Sequence, residues 1–260
     1  MRTVHFGRML AVAAAGTFVF GAGAEAASCR NTGDFGAWMR DFRAEAAAAG
    51  VSRKTIAAAL DGVAFDQGVI DRDRKQSVFS QSFLEFSDRM IAKYRIDQGG
   101  AQIKKHAAVF ARIEKEFGVP APVIVAFWGL ESDFGANMGK LATLRSLATL
   151  AYDCRRPEKF RPELIAALKV VDRGDLKPAE MIGAWAGELG QTQFLPRHYV
   201  DHAVDYDGDG RRNLLRSAPD VLGSTAAYLK HIGWQQGEPW LEEVRVPAEM
   251  DWVDADVTIE

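Results

Sequence analysis

The chain has 260 residues, 48% of them hydrophobic, which is enough for one sizeable core with a smaller second lobe. Its net charge of −3 excludes the basic footprint of a nucleic-acid-binding protein. With only two cysteines, Cys29 and Cys154, it cannot build a Cys-rich zinc site. Arg2 and Arg8 precede an apolar run from Met9 to Phe20, and small residues follow as far as Ala27. Residues 1–27 therefore read as a secretory signal, and the run is too short for a membrane span. Its removal would leave a mature chain of charge −4, with no stable membrane span, in a periplasmic compartment. Export to an oxidising compartment favours one disulfide between Cys29 and Cys154. Ala26-Ala27-Ser28 before Cys29 lacks the usual leucine of a lipoprotein acceptor, so anchoring is the weaker reading.

The pattern then becomes helical. Asp34 is a good N-cap, and Phe35, Trp38, Met39 and Phe42 recur at helical spacing until Gly50. Ser52 caps a second short helix that ends near Gly62. Phe79, Phe83, Phe86 and Met90 make a further apolar stripe, and Ile103, Ala107, Phe110, Ile113 and Phe117 another, closed by Gly118. These aromatics read as core packing, with Phe86 a possible exception. Leu141, Leu144, Leu147 and Leu150 predict one helix, Glu158 to Val171 another, and residues 219–232 a last one between Pro219 and Gly233. Strand signal is confined to Leu241–Val246. The chain reads as mainly α.

Three stretches carry chemical signal, and two more resemble known motifs without matching them. In Val-Ile-Val-Ala-Phe-Trp-Gly-Leu-Glu-Ser-Asp-Phe, a helix entered through Pro120 and Pro122 runs without charge to Glu131. A carboxyl in apolar surroundings loses hydration when ionised, so its pKa rises and it keeps the proton a general acid must donate. The bland reading is a solvated glutamate at a helix end. Gly183 to Pro196 combines glycines, aromatics and the amides of Gln191 and Gln193. That mix suits a sugar, which has polar edges and apolar faces, but also a tight turn with buried amides, and composition leaves the two open. Asp205, Asp207 and Asp209, followed by Gly210, match the start of an EF-hand calcium loop. The twelfth position, where a bidentate Glu belongs, is Arg216, and Asp220 could close a longer loop instead. His198 and His202 stand one helical turn apart, but Tyr199 replaces the glutamate of a His-Glu-x-x-His zinc motif, so they read as surface or packing residues. Gly135 to Lys140 resembles a phosphate loop only superficially.

In this order and spacing, the Glu131, Gly183–Pro196 and Asp205–Gly210 blocks resemble the membrane-bound lytic transglycosylase B (MltB-type) family of lytic murein transglycosylases. Two more blocks join them: Ala-Thr-Leu-Arg-Ser-Leu-Ala-Thr-Leu-Ala-Tyr-Asp and Gly-Ser-Thr-Ala-Ala-Tyr-Leu-Lys-His-Ile-Gly-Trp. The resemblance covers roughly residues 34–246. It implies a lysozyme-like catalytic core with an additional helical lobe and an EF-hand-like loop. Signal 1–27 would precede an N-terminal helical lobe at 28–104. The core would span 105–235, with the loop at 205–220, and 236–260 would begin a C-terminal segment cut short here. Glu131 matches the family's single catalytic acid/base. Gln193, Phe194 and Tyr228 match groove positions, Gln191 lies in the same motif, and Phe86 matches an aromatic groove residue more loosely. Asp205, Asp207, Asp209, Arg211 through its carbonyl and Asp220 match the calcium loop. Ala184 stands where a serine is expected.

The resemblance further implies cleavage of the β-1,4 bond between N-acetylmuramic acid and N-acetylglucosamine in peptidoglycan, leaving 1,6-anhydromuramyl ends. No cofactor is expected for catalysis, a structural calcium is expected in the acidic loop, and the expected partner is the glycan strand, met by a monomer. The competing readings are a hydrolytic muramidase, a peptidoglycan-binding protein with impaired catalysis, and a secreted calcium-binding protein.

Overall fold

A computed structural model describes residues 33–75, 82–239, 242–245, 247 and 249. The expected signal, Cys29, Phe79, and the ends of the strand predicted at Leu241–Val246 lie outside the described residues. Residues 242–245 form no strand.

Among the described residues the chain forms eleven α-helices and one minimal sheet. The helices are α1 (Phe35–Ala48), α2 (Arg53–Leu60), α3 (Gln67–Arg74), α4 (Phe83–Met90), α5 (Lys93–Lys105), α6 (Ala107–Phe117), α7 (Ala121–Ser132), α8 (Thr143–Tyr152), α9 (Pro157–Asp172), α10 (Pro196–His202) and α11 (Ala218–His231). Strands β1 (Leu141–Ala142) and β2 (Ile182–Gly183) pair antiparallel, with Leu141 opposite Gly183. None of the described helices is long and apolar enough to cross a membrane.

Local chemistry sets several helix ends. Asp34 accepts from the Ala37 N–H, and the Ser52 hydroxyl from the Thr55 N–H, satisfying donors that have no partner within the first turn. Gly118 closes α6 in the left-handed region at φ 72°, and Pro120 then leads into α7.

The core is built mainly by α8 against α9 and α9 against α10, with Leu147, Leu164, Leu168 and Tyr199 fully buried. Helices α5, α6 and α11 pack around α7. The N-terminal helices join the same body: Phe35 meets Tyr152 edge-on at 5.3 Å, and Asp172 on α9 accepts hydrogen bonds from Ser52 and Thr55. From Gly33 onward the described residues form one compact unit.

An ion-pair network pins α3 to the α8–α9 connection. The Asp73 carboxylate is buried and pairs with Arg74, Arg155 and Arg156, while Arg74 reaches Asp153 at 2.8 Å. Cys154, in the same connection, is disulfide-bonded.

Three expectations change. Leu141 leaves the leucine helix for β1, because pairing with Gly183 satisfies its backbone there. The helix predicted through Ala107 breaks at His106, whose ring turns edge-on toward Trp128 at 5.9 Å. The stripe on α4 is not core: no residue of that helix is buried, and Phe83 is 77% exposed. Helix α4 packs no second layer over its apolar side among the described residues, so its aromatic spacing has nothing to bury against.

Candidate active site

Helix α7 divides its residues cleanly. Ile124, Val125, Trp128, Gly129 and Ser132 face the core at helical spacing. Phe127 and Glu131, one turn apart, face a cleft of about 500 Å³ instead. Gly129 has a packing reason: a Cβ there would stand 2.9 Å from the Phe134 ring and 3.1 Å from the Arg95 stem, so only glycine lets α5 and Phe134 close over α7.

After Ser132 the chain reverses through two left-handed residues, Asp133 at φ 49° and Phe134 at φ 59°. Asp133 is held there by Arg95 and Tyr94, which donate to its carboxylate at 2.7 and 2.9 Å. Gln193, at φ 52°, is the third non-glycine residue in that region among those described. Gln193 lines the cleft, and Asp133 and Phe134 end the helix that carries Glu131; backbone strain of about 1–3 kcal/mol per residue clusters at such sites.

Glu131 is solvent-accessible at the cleft, yet the protein walls around its carboxyl limit hydration. This dehydration is the main cause that raises its pKa, and the negative charge of Glu188 adds to it. The penultimate position in α7 works in the same direction, since the negative end of a helix dipole disfavours an anion by about 0.3–1 kcal/mol. Glu131 is thus biased toward the protonated form of a general acid.

The opposite wall comes from the Gly183–Pro196 stretch, α10 and α11, and it carries Gln193, Phe194, His198 and Tyr228. Gln193 donates from its amide nitrogen to the Gly190 carbonyl at 2.8 Å, and its amide oxygen has no hydrogen bond among the described residues. Tyr228 is fixed by rings on three sides: Phe194 at 5.4 Å, His198 at 4.7 Å and His202 at 5.2 Å between centroids. The histidine pair is therefore packing around Tyr228. The cleft combines a proton donor, an amide acceptor and aromatic faces, the set that a sugar chain requires.

Four of the six residues expected to line the site, Glu131, Gln193, Phe194 and Tyr228, meet in this one cleft. Two do not. Gln191 turns into the protein, where its amide oxygen accepts from the Trp128 indole at 2.8 Å and its nitrogen donates to the Leu215 carbonyl at 2.9 Å. The amide thus ties α7 to the Leu215 backbone from inside the protein, and Gln191 is not among the residues lining the cleft. Phe86 lies on α4, outside the lining, with Arg89 over its ring at 5.9 Å. Sequence reasoning missed Glu188 as a cleft residue, although it is the one acid within the glycine-rich motif, and also the wall residues Phe127 and Ile232.

Carboxylate oxygens of Asp205, Asp207 and Asp209 lie within 4.8 Å of one another. Such a hard, anionic donor set fits calcium. Asp220 is fully buried beside them, and its carboxylate accepts from the backbone N–H groups of Tyr206, Asp207 and Asn213. In this arrangement Asp220 braces the loop, and Arg211 binds the Asp175 carbonyl through its guanidinium.

Comparison with known proteins places this geometry. The chain is 34% identical over 158 residues to membrane-bound lytic murein transglycosylase B of Escherichia coli (strain K12), covering 60% of this chain and 44% of that protein. It superposes on SltB3 of Pseudomonas aeruginosa, solved with NAG-NAM-pentapeptide, with a TM-score of 0.82 and 42% identity, over 87% of this chain and 60% of that one. It also matches the Escherichia coli lytic transglycosylase Slt35, solved with calcium, with a TM-score of 0.70 and 29% identity, over 77% and 64% of the two chains. The fold is thus the helical, lysozyme-like one of these transglycosylases, and the chain spans less than half the length of the curated relative and about 60% of SltB3. The Transglycosylase SLT domain family matches residues 34–259, which takes in α1 to α11, Glu131 and the whole cleft, and the chain belongs to that family.

Proposed function

We propose that this chain is a lytic transglycosylase that cleaves the β-1,4 bond between N-acetylmuramic acid and N-acetylglucosamine in peptidoglycan. The observation that carries the reading is Glu131, biased toward its acid form in a cleft that also presents Gln193, Phe194 and Tyr228. SltB3, solved with a NAG-NAM-pentapeptide, supports the same substrate class here.

In this reading Glu131 donates its proton to the glycosidic oxygen, and the bond from that oxygen to muramyl C1 breaks. The N-acetylglucosamine fragment leaves as an alcohol, while the substrate's acetamido oxygen stabilises the cation at C1. The Glu131 carboxylate then takes the proton of the muramyl C6 hydroxyl, whose oxygen bonds to C1 and closes a 1,6-anhydro ring. Glu131 ends protonated, and no water is consumed. Gln193 orients the sugar by hydrogen bonding, and the Phe194–Tyr228 pair offers an apolar face to a pyranose ring. No cofactor takes part. The Asp205–Asp209 cluster holds a structural calcium with Asp220 closing the loop, Cys154 pairs with Cys29, and the chain acts in the periplasm, as the expected signal requires.

The experiment is digestion of purified murein sacculi, with mass spectrometry of the products. Anhydromuropeptides from the parent protein and none from Glu131→Gln are expected, since loss of a general acid typically costs 10²–10⁴-fold. Products heavier by one water would identify a muramidase instead. Glycan binding without cleavage by the parent would leave a binding protein.

A further inference from the structure

Glu188 enters the cleft from a tightly clamped turn. The Ala184 N–H donates to the Glu188 carbonyl at 3.1 Å. A Cβ at Gly183 would fall 2.1 Å from that same carbonyl oxygen, so only glycine permits the approach. The backbone of Glu188 is thereby fixed against β2, and its side chain joins Glu131 in the cleft lining. Glu188 Oε2 is buried without a hydrogen-bond partner among the described residues.

Buried carboxylate oxygens are normally bonded or paired with a cation. Neither lysine nor arginine is among the residues lining this cleft, and its other titratable groups are His198 and Tyr228. On the elements packed against α7, the cations Lys104 and Lys105 of α5, Arg112 and Lys115 of α6 and Lys230 of α11 are not among the residues lining the cleft. Arg95 of α5 is paired with Asp133, and His106, at the α5–α6 junction, faces Trp128. A carboxylate held in the same cleft disfavours the ionised form of Glu131. We propose that Glu188 is a positioning residue for the reaction, a fixed second carboxylate that keeps the proton on Glu131 until the glycan bond is in place.

This assignment deepens the transglycosylase reading and rests on it. Glu188 acts through Glu131, without touching the bond that breaks. The charge of Glu188 is also the second cause, after dehydration, of the raised pKa of Glu131. The glutamate sits four residues from Ala184, in the stretch where a serine was expected.

The test is Glu188→Gln, which keeps the shape and removes the charge, with Glu188→Asp as the charge-retaining control. With murein as substrate, the alkaline limb of the kcat/KM profile should move to lower pH in Glu188→Gln. A shift of about one unit would cost roughly tenfold in rate above the limb, with near-parent rates on the acid side. Glu188→Asp should restore the parent profile. An unshifted limb, or a loss uniform across pH, overturns the proposal; the uniform loss would make Glu188 structural or directly catalytic. Carboxyl-carbon NMR titration of Glu131 in the parent and in Glu188→Gln gives a readout independent of turnover, with a lower midpoint expected in the variant. If the parent releases no anhydro products, the transglycosylase reading fails by itself, while the NMR midpoints still decide whether Glu188 governs Glu131.

Discussion

The Gln191 amide is the sharpest place to separate scaffold from substrate contact. Gln191→Leu keeps the approximate volume and removes both hydrogen bonds. The Trp128 indole N–H, on a residue 3% exposed, is then left without its acceptor. A stranded buried donor costs about 1–3 kcal/mol, and loss of the bond to the half-buried Leu215 carbonyl adds about 1 kcal/mol, for a total of roughly 2–4 kcal/mol. For a domain of this size each kcal/mol moves Tm by about 2–4 °C, so thermal unfolding followed by circular dichroism should fall by about 4–16 °C. Adding Trp128→Phe removes the stranded donor, so the double variant should be less destabilised than the sum of the singles, with a coupling of about 0.5–3 kcal/mol. Binding of a muropeptide to folded Gln191→Leu at low temperature should stay near the parent value. An unchanged Tm together with lost glycan affinity would refute the reasoning and return Gln191 to the substrate.

Two further outcomes are expected. Calcium at one hundred times its Kd should stabilise the parent by about 2.7 kcal/mol through mass action, and Asp207→Ala should abolish most of the gain; a parent Tm indifferent to both calcium and chelator would leave the Asp205–Asp209 cluster an acidic turn. The His202 pKa is pushed down by burial first and then by His231, while Asp201 pulls the other way and His198 adds the smallest downward push. Below roughly pH 6.5 the unfolded chain therefore binds more protons at this site than the folded one, so stability should rise with pH in the window just under that value. Urea unfolding between pH 5 and 7 should show the slope, and His202→Phe should flatten it; an equal slope in both proteins would remove His202 as its source.

The local punctuation of the fold was legible in the chain. Asp34, Ser52, Gly118 and Pro120 mark helix ends because capping and φ preferences act within a few residues. Glu131 was legible for a similar reason, being the first charge on an otherwise apolar helix. The three spaced aspartates declared their clustering by their alternation.

Tertiary structure decided the rest. Gln191 and Gln193 look equivalent in sequence, and an extended strand would point them the same way. The chain instead turns between Leu189 and Phe194, which bridge each other, and Gln193 takes a left-handed conformation inside that turn. One amide is thereby delivered to Trp128 and the other to the cleft. Glu188 gave no sign of its role because its environment is made by Gly183, Ala184 and Glu131, the last more than fifty residues away in sequence. The exposed stripe of α4 shows the converse: spacing predicts which residues share a face, but burial requires a partner surface, and only the packed chain supplies one. Sequence thus determined the caps, the position of Glu131 on its apolar helix and the clustering of the three aspartates, where the physics is local. Which polar groups were consumed internally, and which were left facing the cleft, was a matter of long-range packing.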